Sequence, residues 1–560
     1  MRKVLYTFAY GGHATDRQIK TWADMSAERA IVQMLTLNPK NNLLSPLQNS
    51  TLPNTTSLET LSKFWSSNNR SNFIKSDEKE RFNVAPRSWG APETSWTTAV
   101  FSRGLNPFVH RVGFWETNFH MSVSRASGIY PLPLFSFYDG IMDLLSKNRS
   151  YKDVIAKGAK SAAVAYQYGH NKNVFRNGRF RGNEDFAREY HQLFFGILGE
   201  YDHSYHEETA IPNTARALTD MRAVFKTETA GGPDRVVTFG TEFHYDADLD
   251  ILHETISGDR ADKKIDAIAD IAIKHEESLK NLPVTIISHF ADDTLTAPTI
   301  DRIRRSWAMM DTKRLLPFLR AYAISTDFHN PSRIKYASSI QRMVSTLNLL
   351  TIENEEVGYM FYSPTWWLSR EDIRIFTPKH AVFGHQTGLE ASNDGNIFRL
   401  NYNLSTQFGW LYWRYYTCDG KCKKDANNNP ITTWEKKWQN VIPANSRGEY
   451  IVEDVARWLW ERFIVDGGKH YGALERAHVV ALLNGKDLSL LINRANPLAV
   501  YNKNQITNNS SIKTLIHDAS VAKMDLKSSD GAKQRAANYR VNLAISFIVA
   551  TPYIYAQEGR

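Results

Sequence analysis

Polar side chains that could bind an anion or transfer a proton are concentrated in a few short stretches of the chain. Arg188 and Arg216 each follow an alanine on a predicted helix, where a guanidinium could hold a carboxylate or phosphate through two hydrogen bonds or could bind Glu184 and helix ends. Because buried charge is costly unless it is paired, such side chains form either a catalytic pocket or a structural ion-pair network. We favour the structural network. The candidate set is Asn183, Glu184, Arg188, Glu189, Arg216, His244, His289 and Lys335.

A second pattern supplies donors that zinc or iron binds. His203, His206 and Glu207 give H-x-x-H-E, which could form a metal site together with His191 and His244. With 17 histidines in the chain, this spacing also arises by chance, and we favour the absence of a metal here. A divalent metal ion is therefore the one cofactor that the sequence leaves open.

The motifs of other cofactors and nucleophiles are missing. The chain has no G-x-S-x-G, no Walker loop, no dinucleotide fingerprint and no C-x-x-C-H, and the G-G-P at 231–233 is typical of a turn. We therefore expect neither a nucleotide nor covalently bound haem.

Composition is that of a globular protein: of 560 residues, 42% are hydrophobic and 23% charged. A net charge of +9 is mild at this length, and no nucleic-acid-binding motif accompanies it, so we expect no nucleic acid partner. The longest apolar run, 543–550, is too short to span a bilayer, so we expect no membrane span. The aromatic residues, 12% of the chain, are expected to fill interfaces between helices.

The two cysteines, Cys418 and Cys422, stand in T-C-D-G-K-C. This spacing predicts a small disulfide loop and hence an oxidising compartment. The alternative is half of a metal site, but no second Cys/His pair lies nearby. Residues 1–12 have no apolar core of signal-peptide length, so an export signal would have been removed or would lie outside these residues.

The element expected to position the first candidates is a helix over 181–199. Asn183 is a suitable N-cap, and Phe186 and Tyr190 begin an apolar stripe that Gly199 would end. Glu184 and Arg188 are spaced to pair along its surface.

Further amphipathic helices are predicted over 3–37, 107–123, 132–158, 263–290, 300–325, 339–350 and 453–557, and a short hairpin within 227–250. We therefore predict a mainly α fold, with 1–560 as one large irregular helical domain and at most a small β-hairpin. The loop-rich insertion 43–100 and the irregular segment 366–450, which carries the Cys418/Cys422 loop, are expected to interrupt it.

Seven short stretches, in order along the chain, resemble the family known as domain of unknown function 1800. They are F-W-E-T-N-F (114–119), N-E-D-F-A-R-E (183–189), the stretch from Glu207 to Met221, F-H-Y-D (243–246), S-H-F-A-D-D (288–293), F-H-N-P-S-R-I-K (328–335) and the segment around Pro552. Thr117, Asn118 and Asp185 depart from the residues that the family prefers, so the chain resembles a divergent member.

The resemblance implies a bacterial, mostly exported protein, often encoded beside a second exported family related to sulfatases or phosphatases. It implies no established reaction. We expect a binding or scaffolding component of a cell-envelope or extracellular assembly, located in the periplasm, on the cell surface or outside the cell, with another exported protein as its partner. The alternative is a metal-dependent or acid–base enzyme, a hydrolase or oxidoreductase, that uses the His/Glu/Arg set.

Overall fold

The computed structural model describes residues 1–11, 16–40, 53–67, 90–101, 105–226, 234–338, 340–342, 374–385, 437–465, 467–486, 509–554 and 556–558. Cys418 and Cys422 lie outside these residues, so the disulfide stays a prediction. Most of the segment 366–450, much of the insertion 43–100 and most of the helix predicted over 339–350 also lie outside them.

Helices dominate the described part of the chain, which confirms the mainly α prediction. In chain order they are α1 Arg2–Phe8, α2 Asp16–Ala23, α3 Ala27–Met34, α4 Leu58–Ser67, α5 Ala91–Phe101, α6 Pro107–Trp115, α7 Pro131–Ser146, α8 Tyr151–Ala159, α9 Ala162–Tyr168, α10 Asp185–Glu189, α11 His203–Tyr205, α12 Ile211–Ala217, α13 Ala261–Ala272, α14 Glu276–Phe290, α15 Ala297–Ala308, α16 Leu315–Ile324, α17 Val452–Phe463, α18 Gly467–His470, α19 Ala473–Leu483, α20 Ser510–Ala519 and α21 Gly531–Val549.

Strands in the described residues form short two-stranded antiparallel sheets. The pairs are β1 Val174–Arg176 with β2 Arg179–Arg181, β3 Met221–Lys226 with β4 Asp234–Phe239, β5 Leu249–Ile251 with β6 Glu254–Ile256, and β7 Ile334–Tyr336 with β8 Ala556–Glu558. β4 lies within 227–250, where a hairpin was predicted, but its partner β3 precedes that range. The other three pairs join strands of three residues, which are too short to show a period of two in sequence.

Three π-helical segments extend or join these helices: Glu116–His120 after α6, Tyr190–Phe194 after α10, and His206–Ala210 between α11 and α12. All three overlap or directly follow stretches that carry the family resemblance. The i→i+5 pattern is rare and occurs mostly as single turns inside α-helices, frequently at functional sites. The family motifs therefore coincide with unusual local backbone.

The helix predicted over 181–199 is shorter and differently capped. Its α-helical part begins at Asp185, and the π-helical segment after it ends at Phe194. Asn183 does not cap it: the Asn183 side chain donates to the Tyr168 carbonyl at 3.5 Å and to Asp185 at 3.2 Å. The prediction was wrong here because Asn183 is fixed at the open end of the β1–β2 hairpin, where its backbone N–H donates to the Asn173 side chain at 3.0 Å.

Aromatic side chains fill the interfaces between helices, as predicted. The largest fully buried side chains among the described residues include Trp22, Trp96, Trp307, Trp438 and Trp460. They belong to one contiguous apolar core that takes residues from α1 through α21. The core holds α6 and α14 in fixed positions.

The apolar run 543–550 lies largely in α21, a helix of 19 residues. Among the described helices, none combines the length and the apolar character needed to cross a membrane.

Candidate functional site

Three of the resembling stretches meet at the C-terminal end of α14. The last carbonyls of a helix have no partner within the helix, and its dipole makes this end negative. Cationic side chains satisfy these carbonyls: Lys335 Nζ donates to Ser288 O at 2.6 Å and Arg111 Nη2 to Phe290 O at 3.3 Å. Arg333 Nη1 donates to the carbonyl of Ala291. We call Arg111, His289, Arg333 and Lys335 the α14 cationic cluster.

Lys335 has a buried carboxylate partner. Asp293 Oδ1 lies 2.7 Å from Lys335 Nζ, and Asp293 Oδ2 accepts the Tyr336 backbone N–H at 2.7 Å. Burial lowers the pKa of Lys335, and the charge of Asp293 opposes that change. A buried lysine held in this way is an ion pair of the core.

Arg111 is also buried, with 4% of its surface exposed, but it is held differently. Its guanidinium lies over the Tyr10 ring at 4.8 Å and the Phe290 ring at 5.6 Å, and burial lowers its pKa. Among the described residues, its Nε has no hydrogen-bond partner and no carboxylate forms a salt bridge with Arg111. A buried guanidinium without a carboxylate is uncommon, because the charge is costly to desolvate.

His289 lies near both Lys335 and Arg111, whose charges act on its ring. Its ring centroid is 4.4 Å from that of Trp115 and 4.3 Å from that of Phe119. Burial, together with the charges of Lys335 and Arg111, holds the pKa of His289 well below its usual range. The imidazole is therefore neutral at pH 7.

His120, a neighbour of Trp115, is buried, and both of its ring nitrogens have hydrogen-bond partners. His120 Nδ1 lies 2.9 Å from Glu116 Oε2, and its Nε2 donates to the Phe194 carbonyl at 2.9 Å. The Tyr151 hydroxyl donates to Glu116 Oε1 at 2.8 Å. The Trp115 ring stacks on the His120 ring, with centroids 5.3 Å apart, and also contacts the His289 ring. The Trp115 indole therefore connects this network to His289. These bonds fix two of the π-helical segments against each other.

Arg188 lies in a different place and pairs across helices. Arg188 Nη1 donates to both oxygens of Glu207, at 2.6 and 2.5 Å, and this hydrogen bond lowers the pKa of Glu207. The predicted pairing of Glu184 with Arg188 was wrong, because Glu207 on the neighbouring π-helical segment is a closer acceptor. Glu184 instead occupies the N-cap position of α10 without a capping hydrogen bond from its side chain. Glu189 is half-buried, and burial raises its pKa.

Two of the predicted metal ligands are neighbours. The rings of His191 and His206 are 5.6 Å apart, and His191 Nε2 is 2.8 Å from the Thr214 hydroxyl. Burial lowers the pKa of His191 to about 3, with a contribution from His206. His203 is exposed on the surface. Within the described ranges, no group of three or more His, Cys, Asp or Glu side chains could hold a metal ion, and the predicted ligand set is therefore not assembled.

The remaining candidates have local partners. His244 Nδ1 donates to the Thr219 carbonyl at 2.9 Å, and burial lowers the pKa of His244. Arg216 Nη1 donates to Asn213 Oδ1 at 2.6 Å. Neither contact includes another member of the predicted set, so the structure brings together only His289 and Lys335 of the eight residues in one cluster.

Sequence analysis missed Arg111, Glu116, His120, Asp293 and Arg333. Glu116, Asp293 and Arg333 lie inside the resembling stretches, and His120 follows one directly. For these four residues, the location in or beside a resembling stretch was the signal that the sequence offered. Arg111 had no such signal, because it precedes the first stretch and its contacts at α14 come from a distant part of the chain.

Comparison with known protein families matches residues 3–530 to the family described as protein of unknown function DUF1800. No curated protein and no solved structure matches the chain. Because the match spans nearly the whole sequence, the chain belongs to the DUF1800 family.

Proposed function

We propose that the chain is a binding or scaffolding component of an exported assembly, and that the predicted polar set is mainly structural. The observation that carries the proposal is the internal pairing of these side chains. Arg188 is bound by Glu207, Lys335 by Asp293, and His244 by the Thr219 carbonyl.

Such pairing leaves little of Arg188 and Lys335 for a reaction. A catalytic base or an anion clamp must present an unoccupied atom to the substrate. Both oxygens of Glu207 already lie on Arg188, and Lys335 gives two of its three donors to Ser288 and Asp293. The same contacts are those expected of charges that fix helix packing.

The family resemblance supports the exported assembly. It implies bacterial, mostly exported proteins that are often encoded beside a second exported family related to sulfatases or phosphatases. We propose that such a protein is the partner and that the complex is periplasmic, cell-surface or secreted.

The test is native mass spectrometry of the full chain co-expressed with its neighbouring sulfatase- or phosphatase-like protein, with elemental analysis of the same sample. The proposal predicts the mass of a heteromeric complex and no stoichiometric transition metal. An unrelated exported protein, co-expressed in the same way, is the control. A single-chain mass with about one zinc, iron, copper or manganese per chain would contradict the proposal and would favour an enzyme using His191 and His206.

A further inference from the structure

The geometry at the end of α14 points to a binding site for a small oxyanion, held by Arg111, His289 and Lys335. The ligand class is a carboxylate or a sulfate- or phosphate-type group, alone or as part of a larger molecule. This site goes beyond the proposed partner binding and does not depend on it.

Arg111 is the first reason. It is 4% exposed, yet among the described residues its guanidinium has one hydrogen bond, to the Phe290 carbonyl at 3.3 Å, and two aromatic contacts. Cation–π contacts stabilise a desolvated cation by up to about 2 kcal/mol each, whereas desolvation of an ion costs several kcal/mol. The Nε donor is buried and has no partner. An anion beside it would supply the missing charge and accept this hydrogen bond.

His289 is the second reason. The residue is partly exposed to solvent. No described residue forms a hydrogen bond with its ring nitrogens, although Trp115 and Phe119 fix the plane of the ring. A neutral imidazole in this position offers one N–H to an oxyanion.

Lys335 is the third reason. Its ammonium has three donors, and the structure gives two of them to Ser288 O and Asp293 Oδ1. The third donor has no partner among the described residues. Because all three side chains donate, the ligand they select is an acceptor with negative charge.

Helix capping explains only part of this arrangement. It accounts for Lys335 and Arg333, which bind carbonyls at the end of α14 at short distances. It leaves Arg111 with one long hydrogen bond to a neutral carbonyl, and His289 with none. Among the described residues, Arg111 and His289 are therefore the side chains of this cluster that keep hydrogen-bond donors without an acceptor.

The test is calorimetric titration of the full chain with sodium sulfate, and separately with sodium acetate, against sodium chloride at equal ionic strength. Sulfate remains a dianion near neutral pH, where the titration is made. We expect saturable binding, weakened about tenfold or more in Arg111→Lys, which keeps the charge but loses the fork of donors. The matched control is Lys147→Gln, which removes one positive charge from a surface pair with Asp143.

Each outcome decides the question. Saturable sulfate binding assigns the site to tetrahedral oxyanions, and acetate binding without sulfate binding assigns it to carboxylates; either supports the proposal. Binding equal in wild type and Arg111→Lys, or no saturable heat with either anion, overturns it. If Arg111→Lys does not fold, the imidazole resonances of His289 are followed in wild-type protein. A bound anion stabilises the imidazolium and raises the pKa of His289, whereas an unchanged pKa rejects the site.

Discussion

Replacing Asp293 by asparagine should destabilise the protein far more than replacing both members of its ion pair. Asn keeps an oxygen for the Tyr336 N–H but leaves the Lys335 ammonium buried without a counter-charge. Removing one partner of a buried pair costs about 3–5 kcal/mol, whereas exchanging both for uncharged groups is often close to neutral.

The expected shift in melting temperature follows from chain length. The unfolding entropy is about 2.1 cal/mol/K per residue, which for 560 residues gives about 1.2 kcal/mol/K. A loss of about 3–5 kcal/mol therefore lowers Tm by about 3–4 °C. Differential scanning calorimetry at one fixed scan rate measures it, since large proteins often unfold irreversibly.

The double-mutant cycle isolates the pair. Asp293→Asn, Lys335→Met and the double variant are compared with wild type, and we expect a coupling of at least about 2 kcal/mol. If the two single changes are additive in Tm, Lys335 and Asp293 do not form the buried pair described above, and the ion-pair interpretation of Lys335 is refuted.

Further predictions concern stability at other candidate positions. Gly199→Ala should lower the free energy of unfolding by about 1–3 kcal/mol more than Gly178→Ala does. Both glycines have a positive φ (74° and 72°), but an added Cβ would lie 2.7 Å from the His206 ring only at Gly199. Thermal melts of the two variants test this. The folded-state pKa of His191, about 3, lies below its unfolded value of about 6.5, so the buried neutral imidazole contributes fully to the free energy of unfolding above pH 6.5, and this contribution is lost as pH falls toward 3. His191→Gln should therefore reduce the slope of the unfolding free energy against pH by about 1.4 kcal/mol per pH unit in this range. An unchanged slope would contradict the lowered pKa of His191. Arg188→Gln should cost no more than about 1 kcal/mol in urea unfolding, because its side chain is 38% exposed, and a larger loss would show that the ion pair is underestimated.

The elements that depend on local sequence were largely predictable. Amphipathic periodicity identified most helices, and the G-G-P sequence at 231–233 indicated a hairpin next to β4. The break between α7 and α8 was missed: Asn148 adopts a positive φ of 51° there, which interrupts a helical pattern predicted as continuous. Asparagine tolerates this conformation, so the apolar periodicity alone could not reveal it.

The candidate site was only partly predictable. His289 and Lys335 were selected from the resembling stretches, and the structure places them together at the end of α14. Arg111 could not be selected, because its contact with the Phe290 carbonyl joins residues 179 positions apart. The π-helical segments were also unpredictable, since they depend on tertiary contacts such as that of His120 with the Phe194 carbonyl.

The most direct test of the α14 cationic cluster is the pKa of the His289 imidazole, measured by nuclear magnetic resonance in wild type, Arg111→Met and Lys335→Met. Both cations lower this pKa, so removing either one should raise it toward its usual range, while Lys147→Gln should leave it unchanged. A pKa of His289 that is the same in all four proteins would contradict the account, because the three side chains would then not share one site.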